Sequence, residues 1–195
     1  MRRTAMLLVL LAIVTALSCS EQVSTNGDGN PLLAEFDTPF GVPPFDRIET
    51  EHYMPAFEKG MKEHQKEIMD IANKSDDPTF ENTVEAMDRS GGLLAQTSNI
   101  FFGLNSARTD EKMQAIAREV APMLSEHRDN IMLNEELFGR IKSVYQNRDR
   151  LELDQEQSKL LEEYYKDFVR GGADLNEKKK ERLREINKEL SGLTV

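Results

Sequence analysis

The chain has 195 residues, 31% charged and 38% apolar, with 35 acidic against 25 basic side chains and a formal charge of −10. That length allows one domain or a piece of a larger one, and the apolar share excludes a disordered polyelectrolyte. The acidic balance excludes nucleic acid and anionic membrane surfaces as partners of the folded part, and the absence of Trp with few β-branched runs beyond residue 20 excludes a sheet protein.

Residues 1–18 read as a signal peptide: Arg2 and Arg3, an apolar run from Ala5 to Val14, then small residues. The run is too short to span a bilayer. Cys19 is the only cysteine, so it serves no internal disulfide. Its place after Leu17-Ser18 reads as a bacterial lipid-attachment site, with Ala16 where leucine is usual; an ordinary cleaved signal with an incidental cysteine is the other reading. Either way the expected location is the bacterial cell envelope, with the membrane touched only through a lipid anchor. Two of the 25 basic residues and no acidic one lie in positions 1–18, so the remainder carries 23 basic against 35 acidic residues, a charge of −12.

Residues 19–30 are polar and Gly-containing, a flexible tether. A helical domain is expected over 31–195, opened by a Pro/Phe-rich lead at 31–49. Pro31, Pro39, Pro43 and Pro44 force extended geometry there, and Phe36, Phe40 and Phe45 are expected to be buried against a helical body.

About six helices follow. In the first, Tyr53, Phe57, Met61, His64, Ile68 and Ile71 make one apolar stripe, with Thr50 or Met54 as N-cap. The second begins at Thr79 and carries Phe80, Val84, Met87, Gly91, Leu94 and Phe101. Gly91-Gly92 either breaks it or admits a neighbouring backbone, and close packing inside one helix is expected. The third starts near Asp110 and holds Pro122, where a kink is expected. Asn134 caps the fourth. Asp154 with Gln157 forms a capping box for the fifth, which Gly171-Gly172 stops. Asp174 with Glu177 makes a second box for the sixth, whose Leu183, Ile186, Leu190 and Leu193 are expected to face inward. Short connections favour antiparallel neighbours in an all-α fold.

No stretch carries a catalytic motif. H-E-x-x-H, a P-loop, G-x-G-x-x-G and a nucleophile elbow are all absent from the sequence. The three histidines are His52, His64 and His127. His64 and Glu67 lie one turn apart, but two ligands make no metal site. Glu49-x-x-His52 has di-iron spacing, yet that chemistry needs a second such motif and two more inward carboxylates. Lys178, Lys179, Lys180, Arg182 and Arg184 sit among acids on one helix and read as a solvated face. On the residues alone, then, catalytic and metal-binding residues are both none, and Cys19 is the one candidate attachment site.

Several runs nevertheless resemble one family. They are PFGVPPFDRIETEHYMPAFEKGM (Pro39–Met61), PTFENTVEAMDRSGGLL (Pro78–Leu94), ARTDEKMQAIAREVAPMLSEHRDNI (Ala107–Ile131) and DFVRGGADLNEKKKERLREINKELSGL (Asp167–Leu193). They look like the N-terminal part of a peptidyl-dipeptidase, a zinc metallopeptidase of the thimet oligopeptidase and oligopeptidase A family. The resemblance implies the non-catalytic part of a large helical body with a deep channel. The family cuts short peptides, with peptidyl-dipeptidases releasing C-terminal dipeptides. Its zinc, held by H-E-x-x-H and a later glutamate, belongs to the complete enzyme, and no zinc ligand maps onto this chain. The sequence therefore reads as truncated before the zinc motif, a monomer inactive by itself. The alternative is a helical envelope lipoprotein acting as a binding or scaffold module.

Overall fold

The computed structural model describes residues 29–193, and every regular element among them is helical. The expected signal peptide and Cys19 lie outside the described residues. Six long helices and one short one follow a lead of 3₁₀ turns: α1 Tyr53–Ala72, α3 Gly92–Ala107, α4 Glu111–Met132, α5 Glu135–Gln146, α6 Gln155–Arg170 and α7 Glu177–Ser191. The short one, α2, is a π-helical turn Phe80–Glu85 running into Ala86–Asp88. None of them is long and apolar enough to cross a membrane.

Local chemistry starts most of these helices. Asp110 accepts from the Met113 amide at 2.8 Å and Asn134 from the Leu137 amide at 2.8 Å. Asp154 and Gln157 close a reciprocal box at 2.8 and 3.1 Å, and Thr79 with Asn82 does the same for α2. Neither Thr50 nor Met54 caps α1. The chain enters it through a 3₁₀ turn, Thr50–His52, where the Glu49 amide donates to His52 Nδ1 at 2.9 Å. The cap of α7 is Asn176, which accepts from the Lys179 amide at 3.1 Å. Asp174, expected to cap it, instead meets Lys142 at 3.3 Å.

The core is three apolar clusters. The first joins Tyr53, Ala56 and Phe57 of α1 to Leu94 and Phe101 of α3 and Met113 and Val120 of α4. Tyr53 and Phe57 meet Phe101 edge-on at 5.0 and 5.4 Å. The second joins Ile68, Ile71 and Ala72 of α1 to Ile131, to Leu137 and Ile141 of α5, and to Phe168 of α6. The third holds Phe80 and Val84 of α2 against Val144 and Leu161. Arg140 ties α5 to the loop before α2. Its guanidinium donates to the carbonyls of Lys74 and Asp76, each at 2.9 Å, and to Asn82 Oδ1 at 2.8 Å. α4 runs through Pro122 without interruption.

Further expectations need correction. The Gly91-Gly92 stretch breaks the helix: Gly91 takes φ +73 and separates α2 from α3. The close backbone approach is made elsewhere, by Gly60, where an added Cβ would stand 2.9 Å from the Leu94 Cα. In the lead, Leu32 and Pro44 are buried but Phe40 and Phe45 are exposed, Phe40 at a turn where the backbone takes φ +60. Ile186 and Leu190 of α7, and Leu193 just past its end, are 37%, 52% and 80% exposed, while Lys180, expected on a solvated face, is buried. α7 packs mainly along α4, so only a narrow stripe of it is covered. Asn30, at the end of the expected tether, is buried, accepting from the Leu32 amide and donating to the His52 carbonyl at 2.8 Å.

Gly60→Ala is expected to lower stability by about 1–3 kcal/mol although alanine favours a helix, because the α1–α3 crossing has no room for a methyl group. Chemical denaturation against the parent chain measures it.

Candidate functional site

α1 and α4 each leave the first apolar cluster and enter the second partway along their length. α1 passes from Phe57 to Ile68 and α4 from Val120 to Ile131. At that crossover each helix carries a histidine on its inner face. The rings of His64 and His127 lie 5.0 Å apart, with His127 Nε2 at 3.0 Å from His64 Nδ1. Sequence periodicity places each on an apolar stripe; nothing in one dimension brings together two residues 63 positions apart.

The helix break supplies the other half of the arrangement. Ser90 Oγ stands 3.1 Å from His64 Nε2 and donates to the Met87 carbonyl at 2.7 Å. The Gly91 amide, freed by the break, donates to Glu67 Oε2 at 2.7 Å. A Cβ on Gly91 would lie 2.9 Å from the His64 ring. Glycine thus serves twice here, by accepting a left-handed φ and by leaving space for the imidazole.

These partners assign the protons. The Ser90 hydroxyl hydrogen is committed to Met87, so His64 Nε2 must donate to Ser90 Oγ. His64 Nδ1 is then a bare acceptor, and His127 Nε2–H donates to it. Both rings are neutral in this arrangement. Burial pushes His64 below the usual range, opposed by the Glu67 carboxylate. Burial, and the His64 ring beside it, push His127 down to about 4.

A cavity of about 390 Å³ opens beside the pair. Ile68, Met87, Leu94, Leu124 and Ile131 make its walls apolar, and Ser90, Asp88, Arg128 and Tyr164 bring polar groups to it. The Tyr164 hydroxyl donates to Asp88 Oδ1 at 3.3 Å, and burial followed by the Asp88 charge pushes the phenol up to about 12. Apolar walls with a few convergent polar groups and shifted acids are what a small-ligand site offers. Larger depressions, about 520 and 600 Å³, run along α6 and are lined mostly by its own surface polar side chains, Gln155 and Lys159 in both.

The site does not fit zinc. A catalytic zinc needs three protein ligands and an open position. Among the described residues no group of three His, Cys, Asp or Glu side chains could hold a metal ion. His64 and His127 spend ring nitrogens on each other and on Ser90, and Glu67 is taken by a backbone amide. His52, the third histidine, is drawn into the entry turn of α1, with Glu49 beside it.

Gly91→Ala is expected to cost about 2–4 kcal/mol, from the left-handed backbone plus the overlap with His64. Gly92→Ala, with open space around it, should leave stability unchanged or raise it by at most about 1 kcal/mol. Thermal unfolding of the two variants separates corner from helix. The pair also sets a pH dependence. Unfolded imidazoles take protons near the ordinary value of 6.5 while the folded ones resist, so the unfolded state binds more protons as pH falls. Stability is fully present above about pH 6.5 and declines toward pH 4. Asp129, its carboxyl pushed up by burial, works the other way in the lower part of that window. Melting temperature followed from pH 7 to 4 should fall, and His127→Gln should flatten the fall.

No family model matches the chain. It is 38% identical over 165 residues to dipeptidyl carboxypeptidase of Escherichia coli (strain K12), covering 85% of this chain and 24% of that protein. Dipeptidyl carboxypeptidase of Salmonella typhimurium is 37% identical over 164 residues, covering 84% and 24%. Oligopeptidase A of Escherichia coli is 26% identical over 164 residues with the same coverage. The chain spans about a quarter of the length of the curated relatives it matches.

Proposed function

This chain is homologous to dipeptidyl carboxypeptidase and oligopeptidase A over the N-terminal quarter of those proteins, and from that we propose that it builds the N-terminal helical scaffold of a zinc peptidase that cleaves short peptides and releases C-terminal dipeptides. The observation that carries this reading is the 38% identity, sustained over 85% of the chain rather than confined to one motif. Its residues hold the wall of a helical body. The zinc ligands and the water-activating glutamate come from outside these 195 positions, since no H-E-x-x-H occurs here. The arginine pair, apolar run and Cys19 at the start of the sequence support export to the bacterial envelope and attachment by a lipid.

The cavity beside the histidine pair supports a second reading, a binding or scaffold module in the envelope. The two separate on one assay. A blocked peptide incubated with the pure 195-residue chain and zinc should release no dipeptide, while a longer chain carrying the zinc motif should release it in a chelator-sensitive way. Chelator-sensitive release by the 195-residue chain alone would overturn the scaffold assignment. Failure of the longer chain to cleave any short peptide would favour the binding module.

A further inference from the structure

The histidine contact joins three things that have no other reason to coincide: a break between two helices, a cavity, and a pair of imidazoles with a single hydrogen between them. We propose that the His64–His127 pair is a proton-operated latch on the Ser90–Gly91 corner, which holds the corner shut when neutral and lets it open onto the cavity in acid. The inference rests on the geometry of the cavity and on none of the peptidase reading.

The hydrogen-bond chain runs in one direction: His127 Nε2–H to His64 Nδ1, His64 Nε2–H to Ser90 Oγ, Ser90 O–H to the Met87 carbonyl. A first added proton resides on His64, which Glu67 favours, with His127 shifting to its Nδ1–H tautomer so that one hydrogen still lies between the rings. A second, on His127, has only Nε2 to occupy, and the charge on His64 opposes it. It would set two N–H groups against each other across 3.0 Å, and one ring must leave. His64 is the ring that fills the space over Gly91, where a Cβ would touch it at 2.9 Å. When it swings out, Ser90 loses its donor and the left-handed corner loses its packing. The bond from the Gly91 amide to Glu67 is then left without the ring packed over it.

The charged and titratable neighbours decide how readily this happens. From α1, Glu67 favours a protonated His64. From α4, Arg128 lines the same cavity and opposes added positive charge. From α2, Asp88 favours it, and from α6 Tyr164 stays protonated and donates to Asp88. With burial added, the balance keeps the latch closed at neutral pH and releases it only in acid.

Hydrogen exchange on the full chain tests this. After correction for intrinsic rates, amides at Gly91 and Ala95 should lose protection roughly tenfold between pH 7 and pH 4.5, while Ile141 in α5 keeps its own. In His127→Gln the side-chain amide can still donate to His64 but takes no proton, so the loss at the corner should shrink by roughly the same factor. Imidazole NMR of the parent chain reads the same device without a variant, as both rings titrating below free histidine, His127 the lower, with His64 protonated at Nε2. Uniform loss of protection across all helices would overturn the latch. So would an unchanged pH response in His127→Gln, or both rings titrating at the free-histidine value.

Discussion

The crossing of α1 over α3 is the constraint on which the rest of the structure depends. Gly60 brings the two backbones close enough that one methyl group would not fit. That closeness sets Phe57 edge-on against Phe101 and so seats the first apolar cluster. Twenty residues of α1 then have to serve two cores, because the helix is longer than either cluster is wide. Where one core ends and the next begins, the inner face of the helix carries His64. α4 carries His127 at the same place. The polar contact in the middle of the molecule follows from packing two cores along one pair of helices. Its rings satisfy each other and Ser90, which is the condition for keeping polar atoms away from water.

Most of the helices were legible in the sequence because their signals are local. Asn134, Asp154 with Gln157, and the Gly171-Gly172 stop each act within four residues, and each is where capping chemistry expects it. What was not legible depends on contacts that sequence spacing does not encode. Gly91 and Gly60 look alike on paper, each a glycine within a run of helical period. Only the approach of Leu94 and the ring of His64 assign their roles. Asp174 satisfies the capping-box pattern and Asn176 does not, yet Asn176 accepts from the Lys179 amide while Asp174 meets Lys142 across the fold. Ile186 and Leu190 keep a helical apolar period, but α7 covers only part of itself against α4. The site shows the same division. The histidines were visible as residues and their meeting was not, since a separation of 63 positions closes only through the packing of α1 on α4.

The homology and the geometry speak to different questions. Identity spread over 165 residues says which proteins share this scaffold, and this chain spans about a quarter of their length. The geometry says what the scaffold can do within its own span. It supplies no three-ligand metal set among the described residues, yet it builds a partly apolar cavity with shifted acids at its rim. A chain can supply walls for chemistry performed elsewhere and still hold a feature of its own that responds to its surroundings.

Lys180 adds one more consequence. Its side chain is 1% exposed, and its ammonium sits 2.9 Å from Glu135 and 3.4 Å from Glu177, both of which reach in from the surface. An amine held in that way is enclosed, and its burial blocks the approach of a reagent. Its neighbours Lys178 and Lys179 are exposed. Amine acylation would therefore mark 178 and 179 at once and reach 180 only when α7 leaves its place beside α4 and α5. The triple-lysine run thus contains its own internal standard, two sites that report reagent and one that reports detachment of the last helix.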